Sequence, residues 1–401
     1  MNKSLRNLIL VCQFSMLLAM EMGNPFLPLF IASQNEMAAQ SAALLNALAL
    51  ALPMLASMLM GPIWGKMADR IGYKSMLMRA AWALTLTQGL MACASSVGAI
   101  LVIRVLQGAF AGFITAMQTY VISICDWNEK SCHLSSLQSS KAIATSCAGA
   151  SGGFLLSFIH FRGLFLLTSL LCLVTTVIMH ACLPAQEPRK ITARSHDYPT
   201  QFSHFVIAFI ALITMTQMAK FLPDPGFSLY MMRVLHGQPW VIGLMYSLPA
   251  IGTLLSTKWC GQHFDQCRRG KARINHYFFY YLTLAMVLMF AHGFVQQPLL
   301  LAVIRLLWGI VLAALLPALF TLVSDCSEEQ GHALGIANSF AKLGNLSGLL
   351  LGGWVSGLMP LHYVFLIIAA VYFLMFIIVL SLKTLNDAAF LKTDVPTSSY
   401  K

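Results

Sequence analysis

The stretch SAALLNALALALPMLASMLMGPIW, residues 41–64, runs without a charged side chain and passes directly into GKMADRIGYK, residues 65–74. An α-helix rising about 1.5 Å per residue needs about 20 apolar residues to cross about 30 Å of hydrocarbon. The first segment meets that need, and the charged loop after it marks a membrane surface. Working outward, eleven more runs of this kind are read at about 6–31, 75–95, 98–123, 134–159, 162–183, 203–230, 237–258, 274–294, 298–323, 332–357 and 361–382. The first run is too long for a secretory signal and no small-x-small site follows it, so it is read as a retained helix. The chain is therefore expected to be an all-α membrane protein of twelve transmembrane helices.

Composition agrees. Of 401 residues, 58% are hydrophobic and 10% are charged, with a mean hydropathy of +0.74. A soluble domain carries about 25% charged residues, so a soluble enzyme and a nucleic-acid binder are excluded. The ten cysteines show no metal spacing and no compact disulfide frame, and in apolar helices they act as small hydrophobes. No metal and no cofactor is expected. The net charge of +11 reflects orientation, because Lys and Arg gather in cytoplasmic loops. Eighteen of them, from Lys3 to Lys401, fall on one side of the twelve-span reading, against Arg162 and Arg233 on the other. Both termini are thus expected in the cytoplasm, with the chain multi-pass in the inner membrane.

One polar break is long, at 184–202. It reads as a cytoplasmic linker between an N-terminal bundle, 1–183, and a C-terminal bundle, 203–383, with a cytoplasmic tail at 384–401. The halves repeat. Gly65 and Asp69 recur as Gly261 and Asp265 at an offset of 196. Arg104 and Gly108 recur as Arg305 and Gly309 at 201, and Gly152-Gly153 as Gly352-Gly353 at 200. Parallel six-helix repeats place a substrate path near the membrane midplane between the halves, which is a transporter plan.

The segment Gly65-Lys66-Met67-Ala68-Asp69-Arg70-Ile71-Gly72-Tyr73-Lys74 resembles the G-x-x-x-D-R-x-G-R-K loop of the major facilitator superfamily, with Tyr73 in place of Arg. Arg104-Val105-Leu106-Gln107-Gly108 resembles the R-x-x-Q-G of its drug:proton antiporters, and Asn24-Pro25-Phe26-Leu27-Pro28-Leu29 is similar to the same branch. Span five reads Ala148-Gly149-Ala150-Ser151-Gly152-Gly153 and lacks the proline of the antiporter signature. The resemblance implies two pseudo-symmetric six-helix bundles and proton-coupled export of a small organic molecule, drug-like or siderophore-like, by alternating access. It also implies that Gly65, Asp69, Arg70, Gly72, Lys74 and Asp126 latch the outward-open state. The same loop charges also satisfy the orientation rule as solvated residues. Import or facilitated passage of a metabolite or siderophore on this fold is the alternative reading, and a non-transporting membrane sensor is a third. The chain is expected to act as a monomer in the bilayer, with protons and a small molecule as partners and no nucleic acid.

Glu21 lies about ten residues, hence about 15 Å, from the outer end of span one. An ionised side chain at mid-membrane costs about 2.5–3.5 kcal/mol on insertion scales, so such a residue faces a cavity, pairs or takes a proton. Arg104 lies about 10 Å deep in span four, within reach as its partner. The position matching Glu21 in the second half is Gln217, which cannot titrate, so proton coupling is expected in the first half. Either Glu21 carries the proton beside Arg104, or the two form a fixed ion pair tying the helices. Lys220 and Asp224 form an i,i+4 pair beside Pro223 and Pro225. It reads as an outer-end salt bridge at a kink or, with Asp224, as a second protonation site. Lys141, Gln217, Lys220, Arg305 and Lys342 are expected to line the substrate cavity. The excess of cations there predicts an anionic, carboxylate-bearing substrate. Gly108, Gly112, Gly152, Gly153, Gly348, Gly352 and Gly353 are expected at close helix contacts. No phosphate loop or nucleophile–base set is found, so no enzymatic activity is expected.

Overall fold

The computed structural model describes residues 3–34, 39–125, 130–184, 204–233, 235–269, 274–326, 330–360 and 362–382. Among them every regular element is helical. Span one is α1 (Lys3–Met22), a 3-10 turn at Asn24–Phe26 and α2 (Leu27–Gln34). Then come α3 (Ala39–Ile71), α4 (Tyr73–Cys93), α5 (Val97–Phe110), α6 (Phe113–Ile124), α7 (Lys130–Leu156) and α8 (Phe161–Cys182). The later chain forms α9 (His204–Phe221), α10 (Asp224–Arg233), α11 (Pro239–Arg269), α12 (Ile274–Phe294), α13 (Pro298–Asp325), α14 (Gln330–Leu358) and α15 (His362–Ser381).

Three spans read as continuous are broken, two beside a proline and one at a glycine. Span one breaks where Pro25 enters the 3-10 turn. Span four breaks at Gly112, whose φ of 59° lies in the left-handed region that glycine tolerates without a Cβ clash. Span seven breaks between Phe221 and Asp224, where Pro223 stands. Gly112 thus differs from the expectation of close packing: a Cβ there would meet nothing within 4 Å, and its task is the break itself.

Nine helices or broken helix pairs among the described residues are long and apolar enough to cross a membrane. The remaining three, α4, α7 and α14, have 21, 27 and 29 residues. They are long enough to cross, and their Lys, Arg, Ser and Asn content separates them from the rest.

By packing, the chain divides into two compact units. The first holds α1–α8, α10, α11 up to Ile251 and α14 from Leu349. Lipid is as apolar as leucine, so helices in a bilayer associate through close packing of small residues rather than through burial from water. In this unit α4 lies against α8, α3 against α5, and α1 against α7 and α8. A Cβ on Gly108 would overlap the carbonyl of Pro53, and one on Gly152 the carbonyl of Met22. On α7, a Cβ on Gly149 would come to 2.6 Å from the carbonyl oxygen of Gly243, and the Ala150 N–H donates to Ser247 Oγ at 2.9 Å. A Cβ on Gly153 would overlap the carbonyl of Pro239, and one on Gly353 the side chain of Ala47. Gly352 is buried beside it.

The second unit holds α9, α11 from Gly252, α12, α13, α14 to Gly348 and α15. Here α12 lies against α15 and α13, and α9 against α13 and α15. A Cβ on Gly252 would overlap the carbonyl of Leu306, and Thr253 Oγ1 donates to Gly309 O at 3.0 Å. Gly344 and Gly348 let α14 close on the carbonyls of Thr214 and Met218 in α9. Large apolar side chains such as Leu170, Val177, Val287 and Phe373 stand exposed on the outer helix faces, as a lipid-contacting surface requires. The expected linker, 184–202, lies outside the described residues save Pro184, and the tail, 384–401, wholly so.

Candidate functional site

The polar centre of the first unit begins with a proline. Pro53 sits inside α3 and has no N–H to return to the carbonyl of Ala49, four residues earlier. An unpaired carbonyl in hydrocarbon is costly, and Arg104 of α5 supplies the donor, with Nε to Ala49 O at 3.0 Å. Gly108, one turn along α5, is what lets the helix approach Pro53 so closely.

The rest of the guanidinium is also committed. Nη1 donates to Gln107 Oε1 at 2.8 Å, and Nη2 donates to Asn24 Oδ1 at 2.8 Å. Asn24 in turn donates from Nδ2 to Glu21 Oε2 at 2.8 Å. Arg104 is 8% exposed, while Glu21 and Asn24 are half-buried. Glu21 and Arg104, expected as direct partners, are joined by an amide between them. Sequence reasoning had Asn24 only as the first residue of a family-like segment. The available signal was its place three residues after the acid, on the same side of the chain as it leaves α1.

The other expected site residues separate into distinct surroundings. In the second unit Gln217 faces α14, where a Cβ on Gly344 would come to 3.0 Å from its Cβ, and its buried Oε1 accepts no hydrogen bond. Lys342 is exposed on α14, and Lys141 is half-buried on α7. Lys220 is exposed, its ammonium 5.4 Å from the centre of the Phe221 ring. Asp224 is half-buried and opens α10, where its carbonyl accepts from Tyr246 OH at 3.1 Å.

Arg305, expected in the cavity lining, is instead 3% exposed. Its guanidinium lies 5.9 Å from the Trp308 ring centre, and its charge acts on His292, which is itself stacked 3.6 Å over Phe365. Trp308 Nε1 donates to Tyr372 OH at 3.0 Å. The cation is thus buried in the core of its unit.

At the loop after α3, Gly72 has a φ of 100°, which permits the tight reversal into α4. Gly65 faces open space, with nothing within 4 Å of an added Cβ, and Arg70 is exposed. Lys74 donates to the carbonyls of His180, at 3.1 Å, and Leu183. It therefore caps the C-terminus of α8, where a cation meets orphan carbonyls. Asp126 and the side chain of Asp69 lie outside the described residues. Arg79, read with Lys66 and Lys74 as a loop charge, stacks 3.7 Å over Trp64, whose Nε1 donates to Ala109 O at 2.6 Å. Among the described residues no group of His, Cys, Asp and Glu side chains could hold a metal ion.

Helices with apolar outer faces, built as a repeated plan around a membrane-embedded acid–amide–guanidinium chain, define a multi-pass membrane transporter. The chain belongs to the Major Facilitator Superfamily, whose sequence profile matches residues 9–274 and 207–397. It is 28% identical over 357 residues to the multidrug resistance protein MdtG of Serratia proteamaculans, covering 86% of each chain. The MdtG proteins of Dickeya zeae and Klebsiella pneumoniae are also 28% identical over 358 residues, covering 86% of this chain and 86% and 85% of theirs. Among solved structures, the D-xylose-proton symporter superposes with a TM-score of 0.69 at 13% identity, covering 93% of this chain and 96% of that one. A bacterial homologue of the human lysosomal transporter Spinster gives 0.73 at 12% identity, covering 97% of each. These two likenesses establish the fold.

Proposed function

We propose that this protein is a proton-coupled exporter of small organic molecules in the inner membrane, with both termini cytoplasmic and the monomer as the working unit. The observation that carries the reading is the hydrogen-bonded chain Glu21–Asn24–Arg104 inside the first unit. An acid held at membrane depth by a neutral amide, half-buried rather than sealed, is a group that can exchange a proton with a water-filled path. Glu21 binds the proton and Arg104 holds the site open to a competing negative charge. The multidrug resistance proteins named above support export as the direction.

The residue ranges 1–183 and 203–383 are the bodies that rock in alternating access, with Gly65, Asp69, Arg70, Gly72 and Asp126 at the latch. Lys141 and Lys342 supply cationic side chains that suit an anionic or siderophore-like cargo. Asp224, beside the break in span seven, is the second candidate for a proton.

Everted vesicles under an imposed pH gradient test the reading, with labelled citrate as the polycarboxylate and ethidium as the lipophilic cation. Proton-driven uptake of either probe, lost at least about tenfold in Glu21→Gln, is the expected result. Undiminished gradient-driven uptake by Glu21→Gln overturns the proton role. Uptake of ethidium alone, indifferent to Lys342→Ala, overturns the anionic cargo.

A further inference from the structure

Asn24 has no charge and titrates nowhere near neutral pH, yet among the described residues it is the side chain that touches both ions of the first unit's polar centre. Its orientation is dictated by its neighbours. A guanidinium carries only donors and an ionised carboxylate only acceptors, so Oδ1 must face Arg104 and Nδ2 must face Glu21. The amide is thus oriented in one sense along the chain, from Arg104 through Asn24 to Glu21.

Resting on the proton role proposed for Glu21, we infer that Asn24 is the positioning residue that makes protonation of Glu21 and anchoring of Arg104 compete. A proton taken from water and settling on Oε2, the oxygen that Asn24 holds, neutralises the carboxylate and places an O–H donor where Asn24 already presents its N–H. The acceptor in reach of that O–H is Oδ1. To accept it, the amide must turn and surrender the bond from Arg104 Nη2. Arg104 keeps its bonds to Ala49 and Gln107, which lie on α3 and α5, and loses its tie to the chain leaving α1. Loss of the proton turns the amide back. Proton binding is thereby converted into the making and breaking of one interhelical contact, at the 3-10 turn where span one is already broken.

The Asn24–Phe26 turn packs against α1, α2, α7 and α10. Besides Glu21, α1 carries Lys3, Arg6 and Cys12, α10 carries Asp224, Tyr230 and Arg233, α7 carries Lys130, Cys132, His133, Lys141 and Cys147, and α2 carries no titratable side chain. The carboxylate whose charge acts on Arg104 is that of Glu21.

The test uses the full chain in proteoliposomes and follows the infrared band of the protonated Glu21 carboxyl against pH, assigned by its loss in Glu21→Gln. Arg104→Lys keeps the charge and removes the fork that reaches Asn24 and Ala49 together. In the native background it is expected to move the pH midpoint of the band by about half a unit or more. In Asn24→Leu, which keeps the branched shape and removes the amide, the same substitution is expected to move it by less than about a third as much. Should Asn24→Leu fail to fold, Asn24→Ala supplies the background with the same expectation. Equal shifts in both backgrounds overturn the relay and leave Glu21 as proton carrier. A band that never titrates between about pH 5 and 9 overturns the relay together with the proton role.

Discussion

Arg104 and Arg305 stand at equivalent places in the repeat, one in each packed unit, and both are buried. Each lies one turn before a glycine at a close helix seam: Gly108 against Pro53, and Gly309 beside Gly252. Their partners differ. Arg104 reaches through Asn24 to a carboxylate, whereas Arg305 lies 5.9 Å from the ring centre of Trp308 and its charge acts on His292. Where the first half has Glu21, the second has Gln217. The close helix seam recurs in both units, while the side chains around the two arginines differ.

The largest expected effect tests the shared seam. Gly108→Val and Gly252→Val each drive side-chain atoms into backbone carbonyls, and each should cost about 3 kcal/mol or more. Thermal unfolding of the purified protein in detergent micelles measures both. A marked loss at one glycine with none at the other would break the equivalence of the two seams.

The two arginines come next. Arg104→Ala leaves Ala49 O, Gln107 Oε1 and Asn24 Oδ1 without their donor and should cut proton-driven vesicle uptake of ethidium or citrate at least about tenfold. Arg305→Met puts an apolar side chain of similar reach in the core of its unit and should leave uptake within about twofold. Comparable losses would place Arg305 in the transport path after all.

A smaller effect distinguishes capping from latching at the loop after α3. Lys74→Met removes two bonds to the last carbonyls of α8 and should lower stability by about 1 kcal/mol, read as a lowered melting temperature with uptake retained. The repeat places Gly270 at the corresponding position, so this tie belongs to the first half. Uptake lost without any change in melting would return Lys74 to the latch.

The smallest effect concerns a repeated tie made with different chemistry. Trp64 Nε1 bonds Ala109 O at 2.6 Å, and its counterpart Cys260 reaches Ile310 O with Sγ at 3.9 Å. Trp64→Phe keeps a ring beneath Arg79 and loses the N–H, a cost of about 1 kcal/mol. Cys260→Ala should cost less of its hydrogen bonding, since a thiol is a weak donor. Paired melting curves check the order.

The amino-acid sequence by itself determined that the chain lives in a bilayer, where its helices run, that two halves repeat, and that Glu21 and Arg104 are ions at membrane depth. Those properties are local: hydropathy over about 20 residues, and the cost of a charge away from water, need no knowledge of which helices meet. Only the tertiary structure decided that Asn24 stands between the two ions, that Arg305 is buried in its unit, that Ala49 offers Arg104 the carbonyl Pro53 cannot use, and that Lys74 caps α8. Each of the last two joins residues far apart in sequence across a helix interface. Helix rotation within a bundle is set by where small residues let backbones touch, and Gly112, which reads like the other glycines in the sequence, serves to break a helix instead. A periodic apolar pattern leaves that rotation open when lipid and core are equally apolar.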